Sequence, residues 1–366
     1  MFFKGSFNLI KNIGLKALLV SKLRTMRFLI LKYFYYNKED VEEWKRLKGK
    51  YKGKRVFLIG NGPSLNKTPL YLLKDEYTMC FNRFEIMLER LNWTPNFFMS
   101  VDYLVLVDLI KDIDVVLNHC EYAFFPKIHY EGKRIFKMLK KTDKILWIKP
   151  MKGVGFSLEM PETYNGGTVI YNGIQVLSYL GFDEIILIGV DMNYQIHKTA
   201  TSLNSYSVEI KSNKDDDPNH FDPRYFGRGR SYHQPKQFII DNILNALDYL
   251  GMNQKKYGTN IINAGYDSKV ESFPKRNFLS LFSYSDSEKK QIFESLLSEH
   301  SNYSSSEEFE EQNNEYTNSQ SIDSFKEQDF YTSMEDAILI YKKMIFTHLP
   351  LGPFNGRYYF IKRINC

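Results

Sequence analysis

The sequence predicts an α/β protein built on a mostly parallel sheet, and three observations carry that reading. Arg55–Gly60 (RVFLIG) is a short, continuous apolar run ending in glycine, the mark of a strand buried on both faces. Glu184–Gly189 (EIILIG) repeats the form, and helical patterns alternate with further strand-like runs between the two. Such alternation implies right-handed crossovers, and sheets of this kind bind ligands beyond the carboxyl ends of their strands.

Taken in order, the first 36 residues are apolar and basic (Lys4, Lys11, Lys16, Lys22, Arg24, Arg27, Lys32), with no acid before Glu39. Basic residues interrupt every apolar run far short of the roughly 18–20 residues that span a bilayer, and no small-residue cleavage site follows a clean apolar stretch. Two readings stay open: an interfacial helix with its lysines among anionic lipids, or a helix packed on the core. A charged helical stretch follows at 40–50. Strands are expected at 55–60, 77–81, 96–101, 122–125, 144–148, 184–189 and 259–263, with helices at 84–91, 168–180 and 237–249. The polar run 202–232 lacks periodicity and is expected to be a lid. Residues 285–333 are rich in Ser, Asn, Gln and Glu and read as a flexible acidic linker, and 334–366 as a helical segment. The domain division is therefore 1–50, a basic amphiphilic helical segment; 51–284, the catalytic domain; 285–333; and 334–366.

Composition sets limits. At 43% hydrophobic, 25% charged and 16% aromatic over 366 residues, the chain has ample core material and is not disordered, collagenous or a disulfide scaffold. The net charge of +6 conceals opposed ends: residues 1–60 hold fifteen Lys and Arg against four acids, and 286–336 hold three Lys against fourteen acids. Cys80, Cys120 and Cys366 show no CxxC spacing, so neither a disulfide framework nor a cysteine zinc site is expected, and a cytoplasmic setting is the simplest. No zinc finger, helix-turn-helix or RNP-type signature accompanies the basic residues, so nucleic acid is not an expected partner.

The strongest local motif is Gly60-Asn61-Gly62-Pro63-Ser64-Leu65, directly after a strand. Its glycines allow a sharp turn and close approach, Pro63 suits a first helical turn, and free N–H groups there would attract a phosphate. It is neither a dinucleotide fingerprint, since Leu65 replaces the third glycine, nor a P-loop.

That motif, followed by Asn82-Arg83, Ser100-Val101-Asp102, Asn165-Gly166-Gly167-Thr168, Leu177–Gly181, Ile185–Asp191, Asn219–Asp222, Tyr225–Gly227, Tyr232-His233, Asn263–Gly265 and Phe273-Pro274, resembles the 6-hydroxymethylpterin diphosphokinase-like family. That family is similar in turn to bacterial sialyltransferases of glycosyltransferase family 42. The ordered series covers about residues 51–282. The resemblance implies a Rossmann-like α/β/α sandwich, a GT-A-like variant, carrying a lid loop and helical appendages at both ends. In the sialyltransferase branch it implies a CMP-activated nonulosonic acid as donor, transferred with inversion and without an obligatory metal.

Carried over, Gly60, Asn61, Gly62, Pro63 and Ser64 would sit near phosphate and ribose, and Asn82 and Arg83 would bind the donor. Gly166, Gly167 and Thr168 would serve the nucleotide, as would Asp102 and Asp191 if they accept ribose hydroxyls rather than hold Mg²⁺ or cap turns. His233, or else His220, would be the general base; Tyr194, with Tyr206 as its partner, would stabilise the departing phosphate. Around His233 the sequence agrees better with the diphosphokinase-like group, and the spacing to the next helix is longer than in family 42.

The chemistry is coherent without the family, because transfer to a hydroxyl needs a base near neutral pKa and hydrogen-bond donors on the leaving phosphate. The expected function is a glycosyltransferase passing a sialic-acid-like sugar from a CMP-sugar to a surface or flagellar glycan or a lipid-linked acceptor. It would be peripheral on the inner face of the membrane through 1–36. The alternatives are a Mg²⁺/ATP-dependent pterin diphosphokinase, for which Asp215–Asp217 is an acidic metal motif or a solvated face, and a non-catalytic nucleotide-binding scaffold.

Overall fold

The runs that read as strands are strands because they are apolar on both faces. In β1 (Arg55–Ile59) Val56, Phe57, Leu58 and Ile59 are fully buried, with Val56 and Leu58 in one core cluster and Phe57 and Ile59 in another. The computed structural model describes residues 23–283 apart from 24, 32, 130–131 and 203–208. The acidic segment 285–333, the C-terminal segment 334–366 and Tyr206 lie outside the described residues, as does most of the basic amino terminus.

One eight-stranded sheet runs in the order β11-β7-β1-β2-β3-β4-β5-β6, and every pairing in it is parallel. After β1 come β2 (Tyr77–Phe81), β3 (Phe97–Met99), β4 (Tyr122–Pro126), β5 (Ile145–Met151) and β6 (Glu162–Tyr164), laid down outward in succession. The chain then crosses back to the far side of β1, adding β7 (Glu184–Ile188) and β11 (Asn260–Asn263). The order reverses between β1 and β7, so the crevice of a doubly wound sheet opens beyond Ile59 and Ile188.

Helices cover both faces and make an α/β/α sandwich, as the sequence predicts. On one side lie α1 (Lys38–Lys45), α5 (Val169–Leu180) and α6 (Gln237–Asn253), supplying Trp44, Ile174, Leu177, Ile243 and Leu247 to the core. On the other lie α3 (Tyr103–Leu109) and α4 (Ile113–Asn118), with α2 (Glu85–Leu88) on the connection between β2 and β3. Thr168 caps α5 by accepting from Ile170 N–H, and Gly181, at φ +92°, ends it. Glycine is required there, since a Cβ would come within 2.6 Å of Gly49 Cα.

The division at residue 50 is corrected by the packing. Asn37 and Asp40 form a capping box that starts α1, and Trp44 is completely buried under the sheet. Its Nε1–H donates to Trp147 O at 2.9 Å and its ring stacks on Phe124 at 5.4 Å. Residues 38–50 are thus built into the core of the α/β domain. The helical residues 25–31 and 33–35 also touch it, through Phe28 and Leu31 on Ile128.

The run 202–232 is more structured than its lack of periodicity predicts. β8 (Thr201–Ser202), β9 (Glu209–Lys211) and β10 (Ser231–His233) make a small antiparallel sheet, and Phe221, Tyr225, Phe226 and Tyr232 are buried. These aromatics, spaced irregularly, anchor a folded cap over the carboxyl ends of the strands. Cys80 and Cys120 are free and buried, and no helix among the described residues is long and apolar enough to cross a membrane.

Trp44→Ala removes the largest side chain under the sheet and orphans a buried carbonyl. It is expected to lower the unfolding free energy by about 3–5 kcal/mol, read by urea denaturation with an unchanged slope.

Candidate active site

Two connected cavities occupy the crevice. The smaller, about 110 Å³, lies at the switch point between the Gly60–Pro63 turn and the Gly189–Tyr194 turn. The larger, about 410 Å³, is walled by Asp102, Gly167, Tyr232, His233 and the first residues of α6. Asn82, Thr168, Val169, Tyr194, His220 and Tyr225 line both and form the junction.

At the switch point the first expectation needs correction. Two of the N–H groups after β1 are taken: Gly62 N–H donates to Gly189 O at 2.8 Å and Ser64 N–H to Asp191 Oδ2 at 2.9 Å, while the Ser64 hydroxyl donates to Asp191 Oδ1. Pro63 begins a 3₁₀ turn, Pro63–Lys67, rather than an α-helix. A Cβ on Gly60 would lie 2.3 Å from Gly189 O, and one on Gly62 2.4 Å from the Asp191 carboxyl. These glycines serve close backbone approach. Burial pushes the Asp191 carboxyl up, against the two Ser64 bonds that lower it.

Two other candidates are likewise spent on structure. Arg83 is buried, pairs with Glu85 at 3.1 Å and donates to the Tyr225 and Arg224 carbonyls, so it holds the cap instead of lining a cavity. Asn61 Nδ2 donates to Phe81 O and the Tyr225 hydroxyl, both at 3.0 Å. Its Oδ1 is buried on the small cavity's wall and has no partner among the described residues, an acceptor waiting for a donor.

The junction is rich in neutral donors. Asn82 sits at φ +55°, a left-handed position that asparagine tolerates, with its N–H on Met99 O and its Oδ1 accepting from Ser100. No described residue accepts from its Nδ2. The α5 amino terminus faces the same space through Thr168 and Val169, where Gly166 (φ +54°) and Gly167 (φ +85°) turn the chain. A Cβ on Gly166 would enter the Tyr171 ring at 2.3 Å. Tyr194 lines both cavities, and burial with the nearby Asp191 and Asp217 carboxylates pushes its phenol up to about 12, so it stays a neutral O–H donor.

Two histidines, each held by a carboxylate, flank this junction. His233 Nδ1 stands 3.4 Å from Asp102 Oδ2, while Asp102 Oδ1 caps α3 by accepting from Leu104 and Val105 N–H. Burial works to raise the Asp102 carboxyl, but His233 and those two N–H groups outweigh it and hold the pKa low. His220 Nδ1 lies 2.8 Å from Asp217 Oδ2, and its ring stacks on Tyr225 at 3.9 Å, the two planes nearly parallel. Asp217 is fully buried; burial raises it, yet His220 and the N–H groups of Asn219 and Phe226 keep it below the ordinary value. Both arrangements orient the imidazole through a carboxylate at Nδ1.

Sequence reasoning missed the groups that hold the cap. Arg90 and Asp222 form a completely buried ion pair, with Arg224 Nε also on Asp222 at 2.9 Å. His197, not singled out from the sequence, links Asp216 (2.7 Å from Nε2) to the Tyr232 hydroxyl, and Tyr232 stacks on Phe226 at 4.0 Å. Asp215 instead accepts Arg228 N–H at 2.7 Å. The three consecutive acids therefore face three different partners, and no cluster of three potential metal ligands occurs among the described residues.

The family described as 6-hydroxymethylpterin diphosphokinase MptE-like matches residues 30–197, so the resemblance read from the sequence holds from the amino-terminal helices through β7. Similar solved structures include the Maf glycosyltransferase from Magnetospirillum magneticum AMB-1, at 16% identity and a TM-score of 0.39, covering 67% of this chain and 39% of that one. Another is the sialyltransferase CstII from Campylobacter jejuni in complex with a substrate analogue, cytidine-5'-monophosphate, at 13% identity and a TM-score of 0.33, covering 62% of this chain and 87% of that one. The chain thus spans well under half the length of the first of these. No curated protein gives a significant match.

Two outcomes are expected. Asp222→Ala removes the buried carboxylate that Arg90 and Arg224 share, and should cost about 3–5 kcal/mol by urea denaturation. His129, buried beside Asp102, has its imidazole held down to about 4 by desolvation, against an ordinary 6.5. The unfolded chain then binds a proton in that window which the folded one refuses, so stability is full above pH 6.5 and falls as pH drops toward 4, by up to about 3 kcal/mol. Urea titrations across that range should show a shallower decline for His129→Gln.

Proposed function

We propose that the protein is a glycosyltransferase that moves a sugar from a nucleotide-activated donor to a hydroxyl acceptor. The observation that carries this reading is the His233–Asp102 pair on the wall of the larger cavity, facing a junction lined by neutral donors. In this reading the nucleotide lies in the switch-point cavity, where the Asn61 Oδ1 accepts a ribose hydroxyl, and its phosphate reaches Thr168, the Val169 N–H and Tyr194. The acceptor occupies the larger cavity. His233 Nε2 takes the acceptor's O–H proton as that oxygen bonds to the anomeric carbon. The bond from that carbon to the phosphate oxygen breaks, and the phosphate leaves with the electron pair.

His220 is placed on the leaving side. In this reading its ring, oriented by the Nδ1 contact to the buried Asp217, donates to the departing phosphate beside the Tyr194 hydroxyl. This leaves no step that needs a metal. The donor we assign is a CMP-linked nonulosonic acid and the acceptor a surface or flagellar glycan hydroxyl. One finding favours a second reading, a Mg²⁺/ATP-dependent pterin diphosphokinase: the description of the matching family.

The test is CMP release from CMP-sialic, CMP-pseudaminic or CMP-legionaminic acid with glycan acceptors, with EDTA present. Turnover insensitive to EDTA is expected, and His233→Ala should lower kcat by about 10²–10⁴-fold with nucleotide binding retained. No turnover with any CMP-sugar, together with AMP release from ATP and a pterin in Mg²⁺, would replace this reading by the second.

A further inference from the structure

The helical residues 25–31 and 33–35 use only a narrow face to reach the core, where Phe28 and Leu31 are buried on Ile128 and Tyr35 packs beside them. The rest of the helix inverts the usual arrangement. Leu23, Met26, Leu29, Ile30, Tyr33 and Phe34 are all exposed, Tyr33 to 82% and Phe34 to 72%. At α-helical spacing these residues fall in one arc of about 140°, opposite the buried one. A scattered exposed leucine is ordinary, whereas a continuous apolar face on a helix is a surface that something covers.

Charge identifies the cover. Residues 1–36 hold seven Lys and Arg and no Asp or Glu. Lys152 Nζ donates to Thr25 Oγ1 at 2.9 Å on one flank of the helix, and the Arg27 side chain lies against Gly132 on the other. Lys133 and Arg134, on the segment beneath, sit over the Tyr103 and Tyr35 rings at 4.9 and 5.5 Å. A second copy would bring the same positive charge to the contact, and the acidic segment 286–336 is too polar to match the arc. An anionic bilayer offers both requirements in the right order, an apolar layer bordered by negative headgroups.

We infer that this face docks on anionic phospholipid, with the arc at the acyl boundary and the basic residues among the headgroups. The placement suits the site. Ile128 follows the carboxyl end of β4, and the next residue, His129, has its ring 5.8 Å from that of Tyr103, the neighbour of Asp102. The docked face and the larger cavity therefore share one end of the sheet, and an acceptor anchored in the same membrane would be presented to His233. The docking itself does not depend on the assigned reaction.

Cosedimentation of the full chain with phosphatidylcholine vesicles, with and without a quarter of phosphatidylglycerol, tests it. Binding is expected only to the anionic vesicles, weakening as salt is raised. The double variant Leu29→Glu/Phe34→Glu should lose about tenfold or more in affinity while its melting temperature stays at the wild-type value. If it melts early, Tyr33→Glu alone reads the same quantity. Failure of the wild type to bind anionic vesicles, equal binding by the variants, or a wild-type dimer that the variants dissolve would each overturn the inference, the last by assigning the face to a second copy.

Discussion

The contact on which the rest of the molecule depends is the approach of two backbones, Gly60 at the end of β1 and Gly189 at the end of β7. Gly60 N–H bonds to Ile188 O and Gly62 N–H to Gly189 O, both at 2.8 Å, so the parallel ladder runs one step beyond the strands before the chains diverge. No side chain fits between them. Asp191 then bonds the Ser64 N–H and hydroxyl across the gap, which fixes both turns and sets the floor of the smaller cavity. The glycines of the motif thereby position Asn61, which lines the smaller cavity together with Asn82, Thr168 and Tyr194.

Over that floor the cap is held by buried charge. Asp217 and Asp222 are both completely buried, and each is matched: Asp222 by Arg90 and Arg224, Asp217 by His220 and two N–H groups. Burying such groups costs stability unless every lone pair finds a donor, so these contacts select one arrangement of the cap more than they strengthen it. That arrangement puts His220 against Tyr225 and carries β10, with His233, to Asp102. The same network that closes the cap aims both histidines, which ties the fold of residues 209–233 to the chemistry assigned to the site.

Much of this was legible in the sequence, and what was not has physical reasons. β1, β2 and β7 announce themselves because strands covered on both faces must be apolar throughout, and α5 because Thr168 and Gly181 bracket it. β6, three residues reading Glu-Thr-Tyr at the sheet edge, carries no such run, and α3 and α4 follow one another too closely for their periods to separate. The cap was hidden because irregular chain held by aromatics and ion pairs has no period. His220 and Asp217 lie three residues apart and were open to inspection, whereas the meeting of His233 with Asp102 spans 131 residues and follows only from the topology. That the Ser64 N–H is occupied could not be read from the sequence for a related reason, since the carboxylate that accepts from it, Asp191, lies 127 residues away.

The central claim is that the crevice between β1 and β7 is a cytidine-nucleotide site closed by the cap. Calorimetric titration of the full chain with CMP, in the presence of EDTA, addresses it most directly. The account predicts saturable binding that weakens by about tenfold in Asn82→Ala and again in Tyr194→Phe, as expected when one hydrogen bond to a charged group is removed. Absence of CMP binding, or binding that requires Mg²⁺ and prefers ATP, would contradict it.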